Sequence, residues 1–173
     1  MNKNTIVKSN EQDYKEFAGI ASQSFIESHG RSAAPEDINK YVLENYNWDV
    51  CKAELADAKN NYHFIYHDNI LAGFSKIVFN VPHPNIAAVN VTKLERFYLL
   101  KEFYGMRIGD ELFNYNIELS KANHQSGMWL YVWKENLRAI RFYKKKGFEM
   151  IGSHEFKLTE KHCNQDHQLF LKY

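Results

Sequence analysis

The stretch from Leu94 to Asp110 contains the residues whose types and spacing best suit the binding of a phosphate group. Its pattern predicts a strand, a turn that contains Gly105 and Gly109, and the first turn of a helix. The N-terminus of a helix presents backbone N–H groups without intrahelical partners and the positive end of the helix dipole. We therefore expect this turn to suit a phosphate or pyrophosphate, with an ordinary strand-to-helix turn as the alternative.

Two hydrophobic patterns predict the elements on either side of this turn. Four consecutive aromatic or apolar residues, Phe97 to Leu100, predict the strand. Ile108, Leu112, Tyr115 and Leu119 follow one another at intervals of four, three and four residues. This spacing places the four side chains on one face of a helix, which we expect to be its buried face.

The composition is that of one globular domain over residues 1–173. Hydrophobic residues make up 45% of the sequence and charged residues 25%, and the formal net charge is +1. A net charge so close to zero gives no reason to expect binding to nucleic acid or to a membrane surface. The run Lys144–Lys146 ends a predicted helix, where cations complement the helix dipole.

The sequence shows no signal for export, membrane insertion or metal binding. No apolar run is long enough to span a bilayer, and Met1–Asn4 lacks the hydrophobic core of a signal peptide. Cys51 and Cys163 give no disulfide framework, so we expect a protein of the reducing cytoplasm. His162, Cys163 and His167 are candidate metal ligands, but no second cysteine pair accompanies them, and we interpret them as part of a polar loop.

Hydrophobic periodicity and turn residues predict alternating strands and helices along the rest of the chain. Hairpins dominate the strand order, so we expect a mixed α/β (α+β) domain with a mostly antiparallel sheet and helices on both faces. The predicted elements are a strand at Thr5–Val7, helices at Gln12–His29, from Pro35 and at Trp48–Ala58, a hairpin of Tyr62–Tyr66 and Ile70–Val81 with a bulge at Gly73, a strand at Met128–Trp133, a helix capped by Asn136 with the inner face Leu137, Ile140 and Tyr143, and strands at Phe148–Phe156 and Gln168–Lys172.

Two segments of the chain resemble the GNAT superfamily of N-acetyltransferases. The acyl-CoA loop of that family has the pattern Gln or Arg, x, x, Gly, x, Gly or Ala. The corresponding positions here run from Tyr104 to Gly109; Gly109 matches, whereas Tyr104 and Arg107 depart from the pattern. The segment from Asn136 to Phe148 is close to the family pattern Asn-x-x-Ala-x-x-Phe-Tyr-x-x-x-Gly-Phe and follows at the family's distance.

The resemblance covers nearly the whole chain from Thr5 onwards and implies a GNAT-like sheet with splayed central strands. Within the superfamily, the chain is most similar to bacterial spermidine/spermine N-acetyltransferases of the PaiA type. The residues that carry this narrower similarity are Ser24-Phe25, Pro35-Glu36 with Tyr41, Phe64–Tyr66, Leu94–Arg96, and Trp129 with Val132-Trp133.

The activity that the resemblance implies is transfer of an acetyl group from acetyl-CoA to a primary amine, such as a polyamine. It implies that Tyr143 is the general acid that protonates the CoA thiolate, and that Glu95 takes the proton of the amine. The strand end would pair with the pantetheine amides, and the turn would hold the pyrophosphate. The residues implied to bind the cofactor are Phe97, Tyr98, Leu99, Leu100, Tyr104, Gly105, Met106, Arg107, Ile108, Gly109, Asp110, Asn136 and Tyr143.

Each of these roles has a structural alternative. The alternative for Arg107 is a solvated loop cation, and the alternative for Asn136 is an ordinary helix N-cap. Tyr143 is alternatively a core aromatic residue of its helix, and Glu95 a surface carboxylate that pairs with Arg96.

The resemblance leaves the acceptor open. A small-molecule amine is the expected partner, and a protein N-terminus or lysine is the alternative acceptor. A GNAT-shaped module that binds CoA without catalysis is the other alternative. We expect the segment from Phe25 to Tyr46 to select the acceptor, the protein to be a monomer or homodimer, and no metal to take part. Carboxylates available to a polycation are Glu27, Glu36, Asp37 and Glu44.

Overall fold

A computed structural model describes residues 3–173, within which it contains seven strands and five helices. The strands are β1 (Asn4–Lys8), β2 (Asn61–His67), β3 (Ile70–Val78), β4 (Thr92–Leu99), β5 (Gly127–Trp133), β6 (Glu149–Lys157) and β7 (Cys163–Lys172). The helices are α1 (Tyr14–His29), α2 (Pro35–Asn45), α3 (Trp48–Ala56), α4 (Ile108–Ala122) and α5 (Leu137–Lys145). Every predicted element is present, although β3 ends three residues before Val81 and β7 begins five residues before Gln168.

The strands form one mixed sheet in the order β1-β2-β3-β4-β5-β7-β6. The pairs β1/β2, β2/β3, β5/β7 and β6/β7 are antiparallel, whereas β4 and β5 are parallel. The parallel ladder joins only Thr92 to Met128 and Lys93 to Trp129, although both strands continue beyond it. The predicted mixed, mostly antiparallel sheet is confirmed.

The described chain separates into two compact units, each built from two segments. The first unit comprises the chain up to Ile77 together with Arg96–Asn116, and the second comprises Val78–Glu95 together with Ile117–Tyr173. The interpretation of residues 1–173 as a single domain stays a prediction. None of the helices between residues 3 and 173 is both long and apolar enough to cross a membrane.

The core of the first unit is built largely from aromatic rings. Phe17 of α1 lies against Tyr62 and Phe74, with ring centroids 4.8 and 5.2 Å away. Ser75, the residue after Phe74, hydrogen-bonds to Asn116 of α4. Because successive side chains of a strand point to opposite faces, α1 and α4 cover opposite faces of β3, which confirms the predicted arrangement of helices.

The bulge of β3 lies at Ala72, one residue before the predicted position Gly73. Ile65 pairs with Gly73 but Tyr66 pairs with Leu71, so Ala72 is the extra residue of β3. A Cβ atom at Gly73 would lie 2.4 Å from the carbonyl oxygen of Tyr98. Only glycine allows β3 to approach β4 this closely.

The buried face of α4 differs from the prediction. Ile108 and Leu112 are buried, but Tyr115 is exposed, and the buried stripe continues through the polar residues Asn116 and Ser120. Asn116 Nδ2 donates to Ser75 Oγ at 2.9 Å, and the hydroxyl of Ser120 lies 2.6 Å from that of Thr92. These hydrogen bonds offset the cost of burying polar groups. A prediction from the hydrophobic residues alone therefore places the buried face of α4 wrongly.

The prediction of the inner face of α5 is correct at two of three residues. Ile140 and Tyr143 are buried in the second unit, whereas Leu137 is 59% exposed. Leu137 is the first residue of α5. Its side chain therefore lies at the N-terminus of the helix, before the buried residues Ile140 and Tyr143. In the first unit, Cys51 of α3 is fully buried.

Candidate active site

The turn between β4 and α4 bends through two residues with positive φ. Gly105 has φ +83° and Arg107 has φ +61°, both in the left-handed region. Glycine adopts this conformation without steric cost, whereas arginine does so only with strain. Arg107 stands where the family pattern has its inner glycine, so the structure retains the backbone bend that the pattern requires.

Helix α4 begins immediately after Arg107, and its N-terminus faces the end of the turn. The N–H of Glu111 donates to the carbonyl oxygen of Arg107 at 3.2 Å, the first hydrogen bond of the helix. The N–H groups of Ile108 and Gly109 precede that bond and have no acceptor within the helix. Two neighbouring donors at the positive end of a helix dipole suit an anion.

Gly109 lies against the end of β4. A Cβ atom at Gly109 would be 3.2 Å from Cδ1 of Leu99, which is closer than an ordinary contact. The missing side chain therefore lets the first turn of α4 pack on the strand. It also leaves the backbone N–H groups of this turn uncovered by a side chain at position 109.

The four residues predicted to bind pantetheine, Phe97 to Leu100, point their backbone groups in two opposite directions. The N–H of Leu100 donates to the carbonyl oxygen of Ala72 at 2.9 Å, and the carbonyl oxygen of Tyr98 borders Gly73. The backbone groups of these two residues therefore point towards β3. Because backbone groups alternate in direction along a strand, those of Phe97 and Leu99 point to the opposite edge, where an added strand would bind.

In the second unit, Asn136 is the N-cap of α5, as predicted. Its Oδ1 accepts a hydrogen bond from the N–H of Ala139 at 3.2 Å. This bond engages the oxygen of the side-chain amide. The nitrogen of the same amide can donate elsewhere, so capping and cofactor binding are compatible roles for this residue.

Tyr143 is packed in the second unit with 7% of its surface exposed. Its ring lies 5.4 Å from the rings of both Phe142 and Phe148, the neighbours it has in the matched motif. Burial raises the pKa of the Tyr143 phenol, although the charge of Arg138 opposes this effect. The phenol therefore stays protonated at neutral pH and can act as a proton donor but not as a base.

Glu95 pairs with Lys93 in the structure. The two residues lie two apart on β4, which places them on the same face, and Lys93 Nζ is 3.4 Å from Glu95 Oε2. This ion pair differs from the alternative in which Glu95 pairs with Arg96. Arg96 instead donates to the hydroxyl of Tyr62 at 2.6 Å and lies 3.5 Å from Glu54.

The ammonium of Lys93 also lies over two aromatic rings of β5. Its Nζ is 5.3 Å from the ring centroid of Trp129 and 5.6 Å from that of Tyr131. Sequence reasoning missed this cluster. The signal that could have found it is the spacing of two, which brings Lys93 beside Glu95 on β4 and Trp129 beside Tyr131 on β5.

The model of the acetyltransferase (GNAT) family matches this chain over residues 16–148. The chain belongs to this family. An uncharacterised N-acetyltransferase in the pepI 3′ region of Lactobacillus delbrueckii subsp. lactis is 30% identical over 155 residues, which cover 90% of each chain. The GNAT chain is therefore an acetyl-CoA-dependent N-acetyltransferase.

Solved GNAT structures share its fold. The PaiA N-acetyltransferase from Thermoplasma acidophilum, crystallised in complex with coenzyme A, superposes with a TM-score of 0.78 at 20% identity and covers 99% of both chains. The ribosomal-protein-S18-alanine N-acetyltransferase from Escherichia coli superposes with a TM-score of 0.70 at 13% identity, covering 98% of this chain and 94% of its own.

The predicted site residues of this GNAT enzyme divide between the two units. The first unit holds Phe97 to Asp110, that is, the strand end and the turn, and the second holds Glu95, Asn136 and Tyr143. Their roles as catalytic and cofactor-binding residues stay predictions.

The histidine and cysteine residues near β7 do not form a metal site in the described part of the chain. His162 Nε2 lies 3.0 Å from the side-chain oxygen of Asn164. Within residues 3–173, no three His, Cys, Asp or Glu side chains come together in a group that could hold a metal ion.

Proposed function

We propose that this enzyme transfers the acetyl group of acetyl-CoA to a small primary amine, with a polyamine as the first candidate. One observation carries the proposal: the carboxylate of Glu95 and the rings beside it already hold a primary alkylammonium, that of Lys93. A site that accommodates the lysine ammonium offers the charge and the aromatic surface that an alkylamine acceptor needs.

The reaction needs three proton transfers around one nucleophilic attack: the nitrogen loses one proton before it and one after it, and the thiolate gains one. A primary amine has a pKa near ~10.4 and arrives charged, so Glu95 takes its proton directly or through a water molecule. The amine nitrogen then attacks the thioester carbonyl, the new C–N bond forms, and the C–S bond breaks. The bonded nitrogen releases its second proton to solvent. Tyr143 donates its proton to the departing thiolate and regains one from solvent, which gives the acetylated amine and free CoA.

The turn before α4 is the proposed site of the pyrophosphate of acetyl-CoA. The N–H groups of Ile108 and Gly109 supply donors, and Arg107 supplies a positive charge nearby. The backbone of Phe97 and Leu99 offers the hydrogen bonds for the pantetheine arm. The Asn136 amide nitrogen supplies a further donor.

The choice of a polyamine rests on the sequence similarity to the PaiA type and on Glu95. The carboxylates of the N-terminal helices add partial support. Glu27 is engaged because it accepts the N–H of Lys101 at 2.8 Å, and Glu44 lies 3.9 Å from Lys40 on the exposed face of α2. In the first turn of α2, Glu36 is exposed and Asp37 is partly exposed, so both carboxylates are accessible to a polycation.

A thiol-release assay with acetyl-CoA tests the proposal. Spermidine, a simple monoamine and a set of N-terminal peptides are compared at equal concentration, with CoA release measured against an amine-free control. We expect spermidine to turn over fastest and its KM to rise with salt, because exposed charge pairs are screened beyond about 8 Å at physiological ionic strength. Turnover of peptides without spermidine would contradict the polyamine choice, and no release with any amine would contradict the proposed reaction.

A further inference from the structure

We propose that Trp129, Tyr131 and Glu95 form the binding site for the ammonium group of the acceptor, and that Lys93 occupies this site until the acceptor displaces it. The inference rests on the proposed function, because it names how the amine is held. It assigns Lys93 as an internal competitor of the substrate, and the two aromatic residues as determinants of specificity.

The geometry around Lys93 is that of a filled cation site. The ammonium lies within 6 Å of two ring centroids, at 5.3 Å from Trp129 and 5.6 Å from Tyr131, and 3.4 Å from the Glu95 carboxylate. Aromatic faces attract cations within about 6 Å, and the carboxylate adds a direct charge partner. The structure therefore shows two aromatic walls and one anion converging on a single alkylammonium.

The walls of this site are fixed independently of Lys93. Trp129 is 4% exposed, and its Nε1 donates to the carbonyl oxygen of Val81 at 2.8 Å. The ring of His83 packs 4.8 Å from that of Trp129. Tyr131 stacks on His154, with ring centroids 4.1 Å apart and planes 10° from parallel. A preorganised site of this kind loses little conformational freedom when a ligand binds.

Lys93 carries the most flexible side chain of the cluster. Its side chain is 24% exposed, so the ammonium has a route to solvent, and it is joined to β4 by four flexible carbons. Its charged end is also the same chemical group as the end of an alkylamine. Displacement therefore replaces one ammonium by another in front of the same carboxylate.

Charge makes the two occupants mutually exclusive. Glu95 supplies one negative charge and Lys93 already offsets it, so a second ammonium at the same rings would meet an uncompensated like charge. The acceptor must consequently compete with Lys93. The KM for the acceptor then includes the cost of expelling the lysine side chain, whereas a neutral residue at position 93 would remove that cost.

The test is Lys93→Met, which keeps the length of the side chain and removes its charge. We expect the dissociation constant and the KM for spermidine to fall about threefold to tenfold, the range that a cation–π contact and a partly exposed ion pair support. Affinity is measured by calorimetry in the absence of acetyl-CoA, so one readout does not depend on turnover. Trp129→Leu should weaken the affinity in both backgrounds.

Lys121→Met is the matched control. Lys121 also pairs with a carboxylate, Glu118, at 3.6 Å and lies 5.5 Å from the ring of Tyr173, but it is on α4. This variant should bind spermidine as the wild type does. An unchanged or weaker affinity in folded Lys93→Met would overturn the inference while leaving the reaction intact. Tighter binding without CoA release would support the ammonium site and contradict the proposed reaction.

Discussion

A side-chain carbon added to Gly109 would lie 3.2 Å from Cδ1 of Leu99, so α4 begins as close to β4 as a glycine permits. Gly109→Ala tests this contact alone, and Gly109→Asp adds a negative charge at the proposed pyrophosphate site. We expect a small loss of stability for both, because the end of the Leu99 side chain can shift. Calorimetry should show acetyl-CoA binding weakened far more by aspartate than by alanine. Equal affinity of the folded aspartate variant and the wild type would place the pyrophosphate elsewhere.

Arg107 combines a strained backbone with a charge, and three variants separate the two. Arg107→Gly removes both, Arg107→Ala removes the charge and keeps a Cβ atom at φ +61°, and Arg107→Lys keeps the charge. Glycine should raise the free energy of unfolding by about 1 kcal/mol relative to alanine, measured by urea denaturation. If the charge binds phosphate, glycine and alanine should weaken acetyl-CoA binding equally and lysine should weaken it least. A glycine variant no more stable than alanine would contradict the assigned strain.

Tyr143→Phe removes the proposed acid and keeps the ring between Phe142 and Phe148. Turnover should fall about 10²–10⁴-fold, the usual loss for a general acid, while calorimetry shows acetyl-CoA affinity retained. Tyr173→Phe provides the same chemical change at the end of β7, outside the proposed reaction, and serves as the control. Wild-type turnover in Tyr143→Phe would assign this residue to the core alone.

Glu95→Gln removes the proposed proton acceptor with little change of shape. Because the amine must lose a proton, the wild-type rate should climb from neutral to alkaline pH. The variant should lose turnover more than acceptor affinity, and its pH profile should be flatter than that of the wild type. Glu118→Gln, on the exposed face of α4, is the control for the loss of a carboxylate. An equally steep climb in Glu95→Gln would exclude Glu95 as the base.

Asp166 makes stability depend on pH. Burial raises the pKa of Asp166 to about 6, although the charge of Lys134 opposes this effect. The folded state therefore binds the proton more tightly than the unfolded state, whose carboxyl has its ordinary pKa near 3.8. Protonated Asp166 makes its full contribution to stability below about pH 3.8. This contribution is lost as the pH rises through about 6.

Asp166→Asn should remove this dependence. Urea denaturation at pH 7.5 should show the asparagine variant more stable by an amount on the order of 1–3 kcal/mol. At pH 4 the two proteins should differ little. A variant that is less stable than the wild type at pH 7.5 would show that the ionised carboxylate has a stabilising role.

Local patterns predicted most of the fold, and long-range pairing explains where they failed. The apolar spacing of Phe17 and Phe25 on α1 and the Asn136 cap are properties of a few neighbouring residues, and both are confirmed. The buried face of α4 depends on Asn116, whose partner Ser75 is 41 residues away in sequence. No periodicity in a single helix reports such a partner.

The candidate site shows the same limit. Gly105 and Gly109 indicated the turn because glycine is a local conformational signal. The left-handed conformation of Arg107 is set by the turn around it rather than by its residue type. Sequence reasoning gives the adjacent Arg96 as the partner of Glu95 only in the alternative reading, whereas strand geometry brings Lys93, two residues away, to the same face. The rings that enclose Lys93 come from β5, 36 or more residues further along the chain.

Two buried hydrogen-bonded pairs constrain the number of residues in α4 more strongly than they constrain its other residue types. Asn116 is bonded to Ser75 in the first unit, and Ser120 to Thr92 in the second. One residue inserted between Leu112 and Asn116 would turn Asn116 by about 100° and advance it by about 1.5 Å relative to the buried residues before it. The buried hydroxyl of Ser75 would then lose its bond to Asn116. Along this helix, relatives should therefore differ by substitution and not by insertion or deletion.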